Sequence, residues 1–170
     1  MDRRDLLKRG IALGFTVAML TEVVFADSMS DAQVIVDKYA MKADKWDGPT
    51  TGSKAQEGKS IVILAGDMKN GGILASSKGA EEACAAIGWT VKAIDGAGSV
   101  DGRAAAFGQA LGLKPNGIIV SGFDTTEQAT GMAAAKAANI PVVTWHSSPT
   151  TGPSPDLGIC ANVTTDPMQV

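Results

Sequence analysis

Histidine, tyrosine and cysteine are nearly missing: one His, one Tyr and two Cys in 170 residues. A lone His146 and two distant cysteines cannot supply a zinc site of ordinary short-range ligand spacing. Two cysteines are also too few for a disulfide framework. Cys84 falls in a predicted helix and Cys160 in a late strand; both read as buried free thiols, with a bridge between them the alternative that an oxidising compartment permits. An excess of basic residues is absent as well, since the net charge is −3, which excludes the electrostatic footprint of a nucleic-acid binder. Catalytic patterns are missing too. No Gly-x-Ser-x-Gly elbow occurs, and no carboxylate–His–nucleophile set surrounds His146. The chain reads as a non-enzyme. Two Gly-rich loops fall short of nucleotide motifs. Gly66–Gly71 is followed by Gly72 and Ile73, where a phosphate loop needs Lys and Ser or Thr. Asp95–Asp101 begins like a dinucleotide fingerprint but carries Asp101 at the third glycine and follows the second strand. No cofactor is implied.

What is present begins with an address. Met1–Gly10 reads MDRRDLLKRG, a positive segment, and Ile11–Ala26 is apolar but interrupted by Thr16, Thr21 and Glu22, too short and polar for a permanent anchor. Val24-Phe25-Ala26 suits a signal peptidase, which predicts export with cleavage near Ala26 and a periplasmic location. Arg3-Arg4 followed by Leu6-Leu7-Lys8 resembles a twin-arginine leader, with Asp2 and Leu6 departing from the pattern; an ordinary secretory leader is the alternative.

Over the whole sequence, 45% hydrophobic and 19% charged residues describe a globular chain with enough apolar mass for a core. Residues 27–58 read as a helix and connector. In Ser30–Trp46, the spacing of Ile35, Tyr39, Ala43 and Trp46 predicts one helical face, and Asp47–Ser53 is turn-rich. From Lys59, four short apolar runs, IVILA, TVKAI, GIIV and PVVTW, alternate with three Ala-rich stretches. That alternation predicts an α/β fold: a doubly wound, mostly parallel sheet with helices on both faces. The second run is broken by Lys92, as suits an edge strand. Core faces are expected at Ile73, Ala80, Cys84 and Ile87 on the first helix and Val100, Ala104, Phe107 and Leu111 on the second. Thr125 with Gln128 reads as a capping box for the third. In Ile159–Val163, alternation of Ile159, Ala161 and Val163 predicts a half-exposed strand. In such sheets ligands lie beyond the carboxyl ends of the strands.

Three stretches carry a resemblance: Asn139-Ile140-Pro141-Val142-Val143-Thr144, Ser77-Lys78-Gly79-Ala80-Glu81-Glu82-Ala83, and Pro115-Asn116-Gly117-Ile118-Ile119-Val120. From about Lys59 onward the chain resembles the N-terminal lobe of a type I periplasmic binding protein, of the ribose-binding kind that serves sugar ABC importers. The resemblance implies a hinged, two-lobed clamp for a small polar solute such as a carbohydrate, a membrane permease as partner, and no catalysis. It implies a lobe spanning 59–170 that stops at the first crossover, with the second lobe absent, one sheet edge open, and the chain a truncated form or a deliberate single lobe. A sensor or docking module that presents the lobe to a membrane receptor is the alternative function.

The resemblance also nominates site residues. Asn70 matches an asparagine after strand one, beside Lys69 and Asp67; Gly72 and Ile73 replace the family's aromatic platform. Ser121 and Asp124 follow strand three. After strand four, His146-Ser147 stands where relatives carry an Asp-Arg pair, with Trp145 before it, so a sugar held by that pair is not expected. Trp145 can stack on a ligand or pack beneath a helix. Asp67 and Asp124 can bond loop amides as readily as solute hydroxyls.

Overall fold

The computed structural model describes residues 29–38, 40 and 48–164. The leader expected in residues 1–26, Tyr39, Ala43 and Trp46 of the expected helical face, and residues 165–170 lie outside them. The chain divides into two units, Met1–Gly52 and Ser53–Val170. In the first, residues 29–38 are helical, with Ile35 exposed.

In the second unit the apolar runs become strands. In chain order they are β1 (Ser60–Ala65), α1 (Gly71–Ala86), β2 (Thr90–Asp95), α2 (Val100–Gly112), β3 (Gly117–Ser121), α3 (Ala129–Ala137), β4 (Val142–Trp145), β5 (Gly152–Ser154) and β6 (Ile159–Val163), with 3₁₀ turns at Thr125–Gln128 and Pro155–Leu157. They form one sheet in the order β2-β1-β3-β4-β6-β5. Every pairing is parallel except β5 with β6. The chain steps outward from β1 to β2 and then back across to β3 and β4. Because crossovers between parallel strands are right-handed, that reversal sends α1 to one face and the later helices to the other.

Burial follows. On one face Val62, Leu64, Ile118, Val120 and Val142 pack with Phe107 and Ala110 of α2 and Met132 and Ala135 of α3 in a single cluster. On the other, Ile61 and Ile63 lie buried with Ile73, Ser77 and Cys84 of α1 on the same side. α1 covers only part of this second face. Two in-register rows cross it, Ile63–Ile119–Val143–Ala161 and Ala65–Ser121–Trp145–Val163. Exposure rises along them away from α1: Ile63 is fully buried, Val143 is 38% exposed and Val163 66%.

Several details differ from the sequence reading. Ile87 is exposed because α1 ends at Ala86 and Ile87 serves as its C-cap. The core face of α2 is Ala106, Phe107 and Ala110, with Leu111 partly buried against it; Val100 and Ala104 point outward. Asp124, not Thr125, caps the turn before α3, its Oδ1 accepting from the Thr126 amide at 2.8 Å. Thr125 is buried and donates its hydroxyl to the Ser147 carbonyl, while Gln128 Nε2 donates to the Val100 carbonyl, so no capping box forms. The loop after β4 contains a strand, β5, that lines the expected open edge. In β6 the alternation breaks. Ile159 pairs with Val142 and Ala161 with Val143, so Cys160 is an extra, bulged residue. The bulge leaves Ile159 and Asn162 buried and turns Ala161 and Val163 outward. Both cysteines are free; Cys84 is buried but Cys160 is exposed on the bulge.

Candidate functional site

Four parallel strands end side by side, and backbone hydrogen bonds continue the ladder into their loops. Gly66 N–H donates to Ser121 O, Gly122 N–H to Trp145 O and His146 N–H to Val163 O, each at 2.9 Å. The loops after β1, β3 and β4 therefore lie along one edge, where α/β sheets hold ligands. Glycine is required at two crossings. A Cβ on Gly66 would sit 2.9 Å from Gly122 O, and Gly122 holds φ +77° with Ile73 side-chain atoms 2.5 Å from where its Cβ would lie.

After β1, Asp67 Oδ1 accepts the Lys69 amide at 2.9 Å, folding the loop into a tight turn. Asn70 is the N-cap of α1, its Oδ1 accepting from Gly72 N–H at 2.9 Å and Ile73 N–H at 3.2 Å. That leaves the Asn70 Nδ2 amide and the exposed Lys69 Nζ directed to solvent. Asp95, at the end of β2, accepts the Met68 and Ala97 amides and so joins two adjacent strand-end loops. After β3, Ser121 is 2% exposed and its Oγ lies 2.9 Å from Ser76 Oγ of α1. Asp124 Oδ1 accepts both the amide and the hydroxyl of Thr126. After β4, Trp145 is half-buried and meets the His146 ring edge-on at 4.6 Å between centroids. His146 itself is exposed, with φ +48°. Its Nδ1 lies 3.2 Å from Thr164 Oγ1.

The expected residues thus fall into two groups. Asn70, Trp145 and His146 form a connected patch. Gly72 links them, because a Cβ there would lie 3.3 Å from Asn70 Oδ1 and 3.8 Å from the Trp145 ring. Lys69 borders that patch in sequence. Ser121 lies beneath the surface against α1, and Asp67 and Asp124 each hold their own loop together. The sequence reading missed Asp95 and Thr164. A carboxylate at a strand end is a visible signal for Asp95. Thr164 carries none, since only the pairing of β6 beside β4 brings it to His146.

The parallel sheet, with helices on both faces, defines a lobe of the doubly wound α/β class. A family profile described as "Periplasmic binding protein domain" matches residues 61–170, and the chain belongs to that family. The fold is one lobe of the type I periplasmic binding protein architecture. Among solved structures it is similar to a glucose-galactose binding protein from Geobacillus stearothermophilus (25% identity, TM-score 0.55, 65% of this chain and 38% of that one). It is also similar to an ABC sugar transporter subunit from Rhodobacter sphaeroides 2.4.1 (18%, 0.54, 64% and 36%). A third is an ABC transporter solute binding protein from Agrobacterium vitis with bound allitol (23%, 0.51, 57% and 36%). The chain therefore spans little more than a third of the length of these proteins. No curated protein sequence matches it.

Proposed function

We propose that this chain supplies one jaw of an extracytoplasmic solute-binding component of an ABC importer, holding a small polar solute such as a sugar or polyol at the strand-end edge without transforming it. The observation that carries the reading is the connected patch of Asn70, Trp145 and His146 along that edge. It offers what recognition of a polyhydroxyl compound needs: an amide donor, an aromatic face and an imidazole at the rim of an otherwise apolar surface. Lys69 extends the same rim. Asp67, Ser121 and Asp124 act one step back, setting loop shape. The family and the leader in residues 1–26 support export and a permease partner. The sugar-named relatives support the solute class.

Asn70 allows a clean test, because its two side-chain ends have separate duties. Asn70→Asp keeps an oxygen to cap α1 but removes the Nδ2 donor. The full chain would be screened by thermal shift against pentoses, hexoses, polyols and amino compounds. One class is expected to raise the midpoint, since a ligand at a hundred times its Kd stabilises by about 2.7 kcal/mol. Asn70→Asp and His146→Ala are expected to cut that shift while leaving the ligand-free midpoint near its original value. A chain that responds to no compound at millimolar concentration, or whose response survives both substitutions, removes the proposal.

A further inference from the structure

Residues 146–151 join β4 to β5 without regular secondary structure, and a loop of that kind is ordinarily the mobile part of a strand-end site. Here its backbone is tied to two neighbours. Toward β3, Ser147 O accepts the Thr125 amide at 3.1 Å and the Thr125 hydroxyl at 3.0 Å. Ser147 is buried, and its own Oγ donates to Trp145 O at 2.9 Å. Toward β6, the Asn162 side chain takes hold of the rest. Its Nδ2 donates to Ser148 O at 2.9 Å and to Thr150 O at 2.6 Å, and its Oδ1 accepts the Thr144 hydroxyl at 2.7 Å. Carbonyl oxygens only accept, so the amide fits one way round and both of its N–H groups are used. Asn162 is 4% exposed, and burial of an amide is tolerated when its polar atoms are partnered in this way.

The bulge at Cys160 creates the contact. Unbroken alternation from Ile159 would send Ala161 and Val163 inward and Asn162 outward; the extra residue reverses that. Bulges re-aim side chains beside functional edges, and this one aims an amide at the loop that carries His146. The ties fall on either side of that residue: Thr144 before it, Ser147, Ser148 and Thr150 after it. His146 stands between them with φ +48° and an exposed ring.

We propose that Asn162 is a positioning residue of the candidate site: its three hydrogen bonds fix the loop after β4 in the form that holds His146 on the rim beside Trp145. The role rests on the solute-binding reading of His146; Asn162 itself meets no solute. A sparsely populated φ persists only while the surroundings enforce it, so loss of the Asn162 donors releases His146 from its place.

His146 is the only histidine, so in the full, untagged chain one set of imidazole NMR signals reports on this loop with no ligand present. Asn162→Asp keeps the acceptor for Thr144 and the side-chain shape but removes both donors; Asn162→Ala removes the whole amide. Both are expected to move the His146 ring signals and to lower the backbone order parameters of Ser148 and Thr150 from about 0.85 to below about 0.6. Gly131→Ala, which strains α3 against Phe107, is the comparison, expected to lower the unfolding midpoint without moving those signals. Wild-type order parameters already below about 0.6 at Ser148 and Thr150 overturn the proposal without any variant. So do Asn162 variants whose signals move no further than those of Gly131→Ala. For a solute found by the thermal-shift screen, Asn162→Asp is expected to raise Kd about tenfold, as when the competent loop falls to about a tenth of the population. An unchanged Kd beside a loosened loop also overturns the positioning role. A screen that finds no solute counts against the solute-binding reading and not against the fixed loop, which the NMR measurements decide alone.

Discussion

Among the described residues Ala97, Lys114, Asn139 and His146 hold positive φ. Asn and His tolerate this region better than most residues, and at His146 the backbone is held there by its amide bond to Val163 O. A non-glycine residue in a sparse region at a strand end is where binding sites tend to place strain, which fits its position on the rim. Nothing in the local sequence announces that φ, because it follows from which strand lies alongside. Ala97 differs. It has no polar side chain to offset the cost and precedes Gly98, also at positive φ, in a tight turn. Ala97→Gly is therefore expected to stabilise the chain by about 1 kcal/mol, read as a rise of roughly 2–4 °C in the unfolding midpoint. The loop-amide bonds of Asp67 and Asp124 were among the sequence readings, but the different placements of the other candidate residues were not. Asn70 and Ser121 look alike as strand-end polar residues. One faces solvent and the other is sealed against Ser76, a difference set by the helix above them.

At the scale of elements, every strand but β5 was legible to within a residue or two, because apolar runs bounded by Gly and Pro leave few alternatives, whereas β5 is a Gly-Pro-Ser stretch with no apolar run. Helix faces were less so. In α2 nearly every second residue is Ala or Gly, and a stripe of small side chains does not reveal which side is buried. Phe107 decides it, being the large side chain that the core encloses at 1% exposure. Gly131 of α3 lies directly against that ring, and a Cβ there would sit 2.6 Å from Phe107 Cγ. Gly131→Ala is expected to cost about 1–3 kcal/mol through overpacking, outweighing its gain in helix propensity. Gly108, on α2 with nothing within 4 Å of an added Cβ, is the control: Gly108→Ala is expected to stabilise by about 0.5–1 kcal/mol. Opposite signs in denaturant melts of the two variants would establish the α2–α3 contact; like signs would count against it. The β6 bulge was invisible in the sequence. Period-two alternation presumes an unbroken ladder, and the extra residue at Cys160 reverses every side chain after it.

For the whole molecule, the two cysteines report on where the core is closed. Burial of Cys84 beneath α1 pushes its thiol pKa above the usual value, whereas Cys160 lies open on β6. A thiol reagent at neutral pH is expected to label Cys160 quickly and Cys84 only on unfolding; rapid labelling of both would mean that α1 opens readily. The sign of the linked pH effect follows. The folded pKa exceeds the unfolded one, so the thiol leaves stability unchanged at pH values below the ordinary thiol range and lowers it as pH rises through that range. The order of apolar runs, helices and turns was sufficient by itself for the class of sheet, its edge strand β2 and the strand ends that bear the candidate site, because hydrophobic period and crossover handedness admit few arrangements. Tertiary packing alone decided three further matters: which polar groups along that edge face solvent, the reversal of β6, and how much of the second sheet face α1 covers. Each of those depends on contacts between residues far apart in the chain, and local patterns carry no record of such distances.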